Sequence, residues 1–294
     1  MFTSSGLPQT VAEGITLSTN NLASRICNRA KDVLRRKFYN LKGGTRPRVV
    51  MLHHGRSGST VLAKMLSQHS DVQWDDEYFH LLSERLIPNV ETHKKWSDPL
   101  KGLQRRVDSC RGSVYGFETK FKHIWEPHVL KLSTEEFFQA MDQIGIDHWI
   151  VLKRSNYLRM MLSLMRGMAT ESWHASKGDR NEARNITFDL ENASIGLGVS
   201  RPVLEQFQCV DESFEEIAGF FENRKVLHLE YEGDIFEDPR KAYGKICEFL
   251  NMKTLAIEPT LQKSAFKPIR DLVSNYEEIS SLLQNTKYAW MLDA

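Results

Sequence analysis

The chain has 294 residues, 41% hydrophobic and 26% charged, which is enough to bury the core of one large domain or of one domain with an appendage. Lys and Arg number 39 against 38 for Asp and Glu, so the formal net charge of +1 gives no overall field that attracts nucleic acid. The first twenty residues are polar and contain no apolar run long enough for a signal peptide or a membrane span. We therefore expect a cytoplasmic protein with no nucleic-acid partner and no membrane span.

The N-terminal region is predicted to be an appendage. Residues 1–20 are typical of a flexible segment, and apolar residues then recur at steps of three and four from Leu22 to Leu41, which predicts an amphipathic helix. Its many basic residues are compatible with a membrane surface, but we favour a solvated face on a docking helix, because such faces are more common. Lys42-Gly43-Gly44 interrupts the pattern, so we predict a boundary that separates residues 1–44 from a main domain over 45–294.

The main domain begins with a strand, a loop and a helix. Residues 49–52 (VVML) predict a buried strand, residues 55–60 (GRSGST) a loop, and the apolar stripe that follows predicts a helix. Further strands are predicted at 115–120, 148–153 and 226–231, with helical patterns between them. This alternation predicts an α/β fold in which helices flank a parallel β-sheet, with the N-terminal helix as an extension.

The loop after the first strand has the composition of an anion-binding site. Backbone N–H groups at the start of a helix, together with the positive end of the helix dipole, attract phosphate or sulfate. Gly55 and Gly58 allow the backbone to approach an anion closely. Further donors are the side chains of Arg56, Ser57, Ser59 and Thr60.

Other phosphate and nucleophile motifs do not match this loop. A nucleoside-triphosphate loop needs G-x-x-x-x-G-K-[ST], whereas Gly58 stands directly before Ser59 where the lysine belongs. A G-x-S-x-G nucleophile elbow needs glycine at the position of Ser59. The missing lysine disfavours a nucleotide kinase of the P-loop type. We keep such a kinase and a non-catalytic nucleotide-binding protein as alternative functions.

The segment HHGRSGSTVLAKMLSQHSDV resembles the 5′-phosphosulfate loop of sulfotransferases that use 3′-phosphoadenosine 5′-phosphosulfate (PAPS). It is most similar to the bacterial Stf0 and NodH-like branch, in which arginine replaces the lysine of the animal cytosolic enzymes. The resemblance implies a P-loop-like sulfotransferase fold over about residues 47–292, PAPS as donor and 3′-phosphoadenosine 5′-phosphate (PAP) as product. By this resemblance Arg56 contacts the bridging and sulfuryl oxygens, and residues 57–60 hold the 5′-phosphate.

A second segment, VLKRSNYLRMMLSLMRG, resembles the 3′-phosphate motif of the same family, an arginine followed by a helix that carries a serine. Here Arg154 and Ser163 are nine positions apart, where the family usually has eight, so Ser155 stands where the usual arginine falls. Arg154 remains the predicted ligand. In the C-terminal part, Lys263 lies where related enzymes bring a basic residue near the 3′-phosphate, and Lys267 and Arg270 compete for that role.

Sulfuryl transfer needs a general base, charge stabilisation and an in-line acceptor. Glu77 resembles the glutamate of the Stf0 branch, whereas Lys120 and His123 resemble the lysine and histidine of the animal cytosolic enzymes. We predict that Glu77 is the base, with His123 as the alternative, and that Arg56 and Lys120 supply positive charge. No metal is predicted, because His53 and His54 are adjacent and have no third ligand at useful spacing.

The sequence does not identify the acceptor. Asp75 and Asp76, beside the predicted base, suggest a cationic acceptor such as an amine or a guanidinium alkaloid, but saccharide hydroxyls fit equally well. We therefore predict a hydroxyl or an amine of a small molecule or saccharide. Candidates for an apolar or sugar-stacking pocket are Trp74, Tyr78, Trp125, Trp173 and His174.

Overall fold

The computed structural model describes residues 46–80, 98–110, 113–125, 129–130, 132–170, 186–195, 199–261 and 267–293. The predicted N-terminal helix lies outside these residues, and so do Trp173, His174 and Lys263. The boundary predicted after residue 44 therefore stays a prediction.

Within the described residues, five parallel strands form one sheet in the order β2-β3-β1-β4-β5. The strands are Arg48–His53 (β1), Val72–Glu77 (β2), Val114–Lys120 (β3), His148–Lys153 (β4) and Lys225–Glu230 (β5). Four of them match the predicted strands to within about one residue. The sequence analysis missed β2, an edge strand whose three final residues are carboxylates, which strands ordinarily disfavour.

Helices follow the strands, as predicted. Their bounds are Ser59–Gln68 (α1), Pro99–Ser109 (α2), Phe121–Trp125 (α3), Thr134–Ile144 (α4), Tyr157–Thr170 (α5), Val203–Ala218 (α6), Pro239–Phe249 (α7) and Tyr276–Leu283 (α8). Local sequence explains several ends: Asp98 and Asp238 cap α2 and α7, and α4 begins with a capping box between Ser133 and Glu136. A π-helical turn, Tyr231–Ile235, follows β5 directly.

Both faces of the sheet are covered, which requires strands that are apolar on both sides. In β1, Val50 and Leu52 pack with residues of α2 and α4, whereas Val49 and Met51 pack with residues of α1 and α7. These four β1 residues are fully buried. The structure thus confirms the predicted α/β fold with a parallel sheet between layers of helices.

A third apolar cluster lies apart from the sheet. It joins residues of α5, α6 and α8 with residues 186–195 and the last turn of the described chain, Ala289–Leu292. Backbone hydrogen bonds tie Ile186 to Leu272 and Ser274, so this segment is part of the folded core. The cluster fixes α5, the helix that carries Ser163.

The position of β1 determines where a ligand is expected. This strand lies between β3 and β4, so the connections that leave the carboxyl ends of these three strands start from one edge of the sheet. Ligands of open α/β sheets bind at this edge, where the strand order reverses. No helix among the described segments is both long and apolar enough to cross a lipid bilayer.

Candidate active site

The loop between β1 and α1 has the backbone of an anion site. Gly58 is the N-cap of α1 at φ 87°, and no side chain caps the helix or places a negative charge in its first turn. Arg56 is also left-handed, at φ 65°. Because the first N–H groups of a helix have no intrahelical partners, an uncapped start such as this one is suited to an oxyanion.

Buried side chains at the start of the loop hold its backbone in place. The Ser57 hydroxyl donates to the backbone oxygen of His54 at 2.6 Å, so this hydroxyl is engaged within the loop. The His54 ring lies 2.7 Å from the Ser213 hydroxyl and stacks on Phe121 at 4.4 Å. Burial, followed by the charges of His53 and Lys153, lowers the pKa of His54 to about 3, so this ring is neutral and holds the loop in place.

Arg56, Arg154 and Ser163 meet although they are far apart in sequence. Nε of Arg56 donates to the Ser163 hydroxyl at 3.0 Å, and Nη1 of Arg154 donates to the backbone oxygen of Arg56 at 2.9 Å. Burial and the neighbouring guanidinium of Arg154 lower the pKa of Arg56, and burial lowers that of Arg154. Two partly buried cations held side by side favour an anion between or beside them.

The start of α5 differs from the start of α1, because a carboxylate already occupies it. Glu232 accepts from the backbone N–H groups of Ser155 and Asn156, at 2.9 and 3.0 Å, and lies 3.9 Å from Nε of Arg154. The Ser155 hydroxyl donates to Glu230. Ser155 therefore faces acidic groups, and of the neighbours Arg154 and Ser155 it is Arg154 that reaches the loop.

Glu77 and Lys120 form an ion pair at the ends of β2 and β3. Nζ of Lys120 lies 2.6 Å from Oε2 of Glu77. Cε of Lys120 lies 3.7 Å from the position that a Cβ on Gly55 would take. Burial acts to raise the pKa of the Glu77 carboxyl, but Lys120 and His53 outweigh it and hold that pKa below its usual range. The ionised carboxylate of Glu77 and the ammonium group it pairs with thus lie beside the loop that contains Gly55.

His123 lies next to this pair. Its ring nitrogen, a carboxylate oxygen of Glu77 and a ring nitrogen of His80 all lie within 4.8 Å of one another. The two residues proposed from the sequence as alternative bases are therefore neighbours in space. The sequence analysis missed His80, because its place beside His123 depends on how β2 pairs with β3.

Two acidic residues near the site have different surroundings. Asp75 accepts from the Tyr115 hydroxyl at 2.9 Å and lies 3.4 Å from Nε of Arg106, so its charge is already balanced. Asp76 is an exposed residue, but its carboxyl is partly desolvated. This desolvation, followed by the charges of Glu118 and Asp75, raises the pKa of Asp76. The suggestion of a cationic acceptor therefore depends on Asp76 more than on Asp75.

The aromatic residues proposed for a pocket are mostly packed in the core. Trp74 is 8% exposed and lies against the backbone of Gly116, where a Cβ would come within 2.2 Å of its ring. The indole N–H of Trp125 donates to Thr134. Tyr78 is half-buried and packs edge-on against Phe79 and Phe117. It directly follows Glu77 in the sequence.

Comparisons with known proteins do not assign a family. No family model matches the chain, and no curated protein matches it. Similar solved structures include a sulfotransferase from Alicyclobacillus acidocaldarius, with 15% identity and a TM-score of 0.48 over 85% of this chain and 95% of that one. A mouse sulfotransferase complexed with PAP has 13% identity and a TM-score of 0.37 over 72% of this chain and 60% of that one. The shikimate kinase of Bacteroides thetaiotaomicron has 13% identity and a TM-score of 0.38 over 70% and 99% of the two chains.

Proposed function

We propose that this protein is a PAPS-dependent sulfotransferase that acts on a hydroxyl or amine of a small-molecule or saccharide acceptor. The observation that carries the proposal is the meeting of the uncapped loop before α1 with Arg154 and Ser163 around Arg56. PAPS carries anionic groups at both its 5′ and 3′ positions. Two anion-binding elements from different parts of the chain suit such a donor.

The two anionic ends of PAPS have separate sets of ligands in this proposal. The 5′-phosphosulfate binds at residues 55–60, through the N–H groups of the loop and the Arg56 guanidinium. The 3′-phosphate binds to Arg154 and Ser163. Lys263 lies outside the described residues and stays a predicted third ligand.

The residues around the loop suit the chemistry of the transfer. Arg56 and Lys120 stabilise the charge that develops on the sulfuryl group and on the leaving phosphate. Against the effect of burial, Lys120 and His53 lower the pKa of Glu77, so its carboxylate is ionised near neutral pH and accepts the acceptor proton.

A P-loop nucleotide kinase is the main alternative, and a non-catalytic nucleotide-binding protein is the other. A kinase of this type needs the loop lysine for the β- and γ-phosphates and a hydroxyl for Mg²⁺. In this chain Gly58 stands before Ser59, and the cations at the loop are Arg56 itself, Arg154, and Lys120 on a separate strand. This donor set suits a sulfate, which carries less charge than a terminal phosphate.

Thermal unfolding with nucleotides tests the proposal. At about a hundred times its dissociation constant, a ligand that binds only the folded state stabilises it by about 2.7 kcal/mol. For a chain of this length we expect PAP to raise the melting temperature by roughly 5 to 10 °C and ATP with Mg²⁺ to leave it nearly unchanged. Equal or greater stabilisation by ATP with Mg²⁺ would favour the kinase.

A further inference from the structure

The hydrogen-bond partners of His123 determine which of its ring nitrogens carries the hydrogen. The side chain is fully buried, the backbone N–H of Lys120 donates to Nδ1 at 3.2 Å, and the Thr119 hydroxyl, which can also donate, lies 3.5 Å from the same nitrogen. A nitrogen that accepts a hydrogen bond uses its lone pair, so the neutral ring carries its hydrogen on Nε2. Burial and the charge of Lys120 lower the pKa of His123 to about 3, so the ring is neutral near pH 7.

Nε2 is therefore a donor inside the candidate site. It is buried and has no hydrogen-bond partner among the described residues. Buried donors without partners are uncommon, and each needs an explanation. A ligand that accepts this hydrogen bond would provide one.

The spacing between His123 and Glu77 suits a single oxygen atom. A ring nitrogen of His123 and a carboxylate oxygen of Glu77 lie within 4.8 Å of each other, and Nδ1 is already engaged by the backbone N–H of Lys120. Two hydrogen bonds of about 2.8 Å that meet at one tetrahedral oxygen span about 4.6 Å. One oxygen can thus donate its hydrogen to Glu77 while it accepts the hydrogen of His123.

We infer that His123 is a hydrogen-bond donor to the attacking atom of the acceptor, and that the acceptor is therefore an alcohol or phenol and not an amine. A hydroxyl oxygen has two lone pairs, so one attacks the sulfur while the other accepts from Nε2. A neutral amine has a single lone pair, which the attack uses, and it leaves Nε2 without a partner. This inference rests on the proposed sulfuryl transfer and selects between the two acceptor classes that the proposal leaves open.

The proposed step is balanced as follows. The acceptor oxygen forms a bond to sulfur, the bond between sulfur and the bridging oxygen of the 5′-phosphate breaks, and PAP leaves with that electron pair. The acceptor proton moves to Glu77, while His123 keeps its proton throughout. The products are the sulfate ester and PAP, with one proton released in total.

A zinc site is the competing explanation of the same groups, because two histidines and a glutamate form a common zinc donor set. Zinc needs the lone pair of Nε2, which the contact between Lys120 N–H and Nδ1 assigns to a hydrogen. The ammonium group of Lys120 also lies 2.6 Å from the Glu77 oxygen. Both contacts favour an oxygen ligand over a cation.

The decisive measurement is the tautomer of His123 in the unliganded wild-type protein. Long-range ¹H–¹⁵N spectra of protein with labelled histidine, assigned by comparison with His123→Gln, should show Nε2 protonated and no titration between about pH 5 and 8. Protonation at Nδ1 would overturn the inference. This result does not depend on whether the protein transfers sulfate, so it can fail or succeed separately from the proposed function.

Two variants separate a donor from a base. Glutamine offers an N–H donor and cannot act as a base, so His123→Gln should hydrolyse PAPS within about tenfold of the wild-type rate, whereas His123→Ala should lose about a hundredfold. Hydrolysis uses water as acceptor and needs no knowledge of the natural substrate. Unchanged stabilisation by PAP checks that both variants fold. Equal loss in both folded variants would make His123 the base.

Acceptor pairs that differ only in a hydroxyl or an amine test the substrate class. In each pair that reacts, we expect the hydroxyl compound to be sulfated at least about tenfold faster, since the amine leaves a buried donor without a partner. Faster reaction of the amine would overturn the inference.

Discussion

Glu77 shows how one neighbouring cation decides the state of a carboxylate. Burial alone would raise the pKa of this half-buried carboxyl, yet Lys120 at 2.6 Å and His53 lower it. The same lysine donates its backbone N–H to His123 and thereby determines the tautomer of that ring. Lys120 thus influences both the ionised carboxylate of Glu77 and the neutral ring of His123.

The Glu77→Gln variant tests the base. Glutamine keeps the shape of the side chain and removes its basicity, so we expect the single-turnover rate of transfer to fall by roughly a hundredfold or more. Stabilisation by PAP should change little, because Glu77 is not a proposed ligand of the nucleotide. A near wild-type rate in Glu77→Gln, together with inactive His123→Ala and His123→Gln, would assign the base to His123.

Arg154→Ala and Ser163→Ala test the ligands of the 3′-phosphate. Loss of a charge-assisted hydrogen bond costs about 1.5 to 3 kcal/mol, so the affinity of Arg154→Ala for PAP should drop at least about tenfold. Binding of the 5′-phosphosulfate analogue that lacks the 3′-phosphate should barely change. Titration calorimetry with both nucleotides measures the difference.

Ser155→Ala is the matched control for these variants, because the hydroxyl of Ser155 donates to Glu230 and faces away from the loop. It should bind both nucleotides as the wild type does. If Arg154→Ala weakens both nucleotides equally, Arg154 acts by holding the backbone oxygen of Arg56 and the 3′-phosphate assignment is wrong.

At the scale of secondary-structure elements, the turn from β1 into α1 depends on Gly58. Its φ of 87° is unfavourable for residues with a Cβ, and a Cβ there would lie 2.8 Å from the Tyr231 ring. We expect Gly58→Ala to lower the free energy of unfolding by about 1 to 3 kcal/mol, measured by chemical denaturation, and to abolish stabilisation by PAP.

Gly244→Ala provides the matched comparison. Gly244 lies within α7, and a Cβ there meets no atom within 4 Å. Alanine in a helix interior should raise the free energy of unfolding by about 0.5 to 1 kcal/mol and leave PAP binding unchanged. If Gly58→Ala behaved like Gly244→Ala, the left-handed turn would not be needed for the anion site.

At the scale of the whole molecule, Asp211 connects distant parts of the chain. This residue of α6 accepts from the hydroxyls of Tyr157 at 2.5 Å and Tyr288 at 2.9 Å, and it lies 2.6 Å from Nζ of Lys287. Burial acts to raise its pKa, but the hydrogen bonds from Lys287, Tyr157 and Tyr288 outweigh it and hold that pKa below its usual range. Asp211 thereby ties the C-terminal residues to α5.

The Asp211→Asn variant should show a pH-dependent loss of stability. A carboxyl whose pKa is lower in the folded state stabilises the fold above its unfolded pKa, near 3.9, and loses this contribution as the pH falls through the folded pKa. We expect the variant to be less stable than the wild type by about 1 to 2 kcal/mol at pH 7. Urea denaturation at several pH values should show the two proteins converge below about pH 4. A difference that stays constant into acid would exclude the charge of Asp211 as the cause.

The sequence by itself determined the α/β fold and the position of the anion loop. Apolar runs at 49–52 and 148–153 identify buried strands without knowledge of their partners, because a strand covered on both faces is apolar throughout. Since parallel strands end at one edge, the loop at Arg56 and the residues after β4 are expected at the same edge. The contacts of Arg56 with Arg154 and Ser163 depend in addition on the pairing of β1 with β4, which only the structure provides.

Only the tertiary structure decided which groups face each other around Glu77. Its distance from His123 depends on the register between β2 and β3, and β2 carries too many carboxylates to be recognised as a strand. The tautomer of His123 depends on one backbone N–H, and the balanced charge of Asp75 depends on Tyr115 and Arg106. Some of these contacts join residues that are distant in sequence, and others depend on local backbone geometry. No periodicity or motif in the chain therefore encodes them.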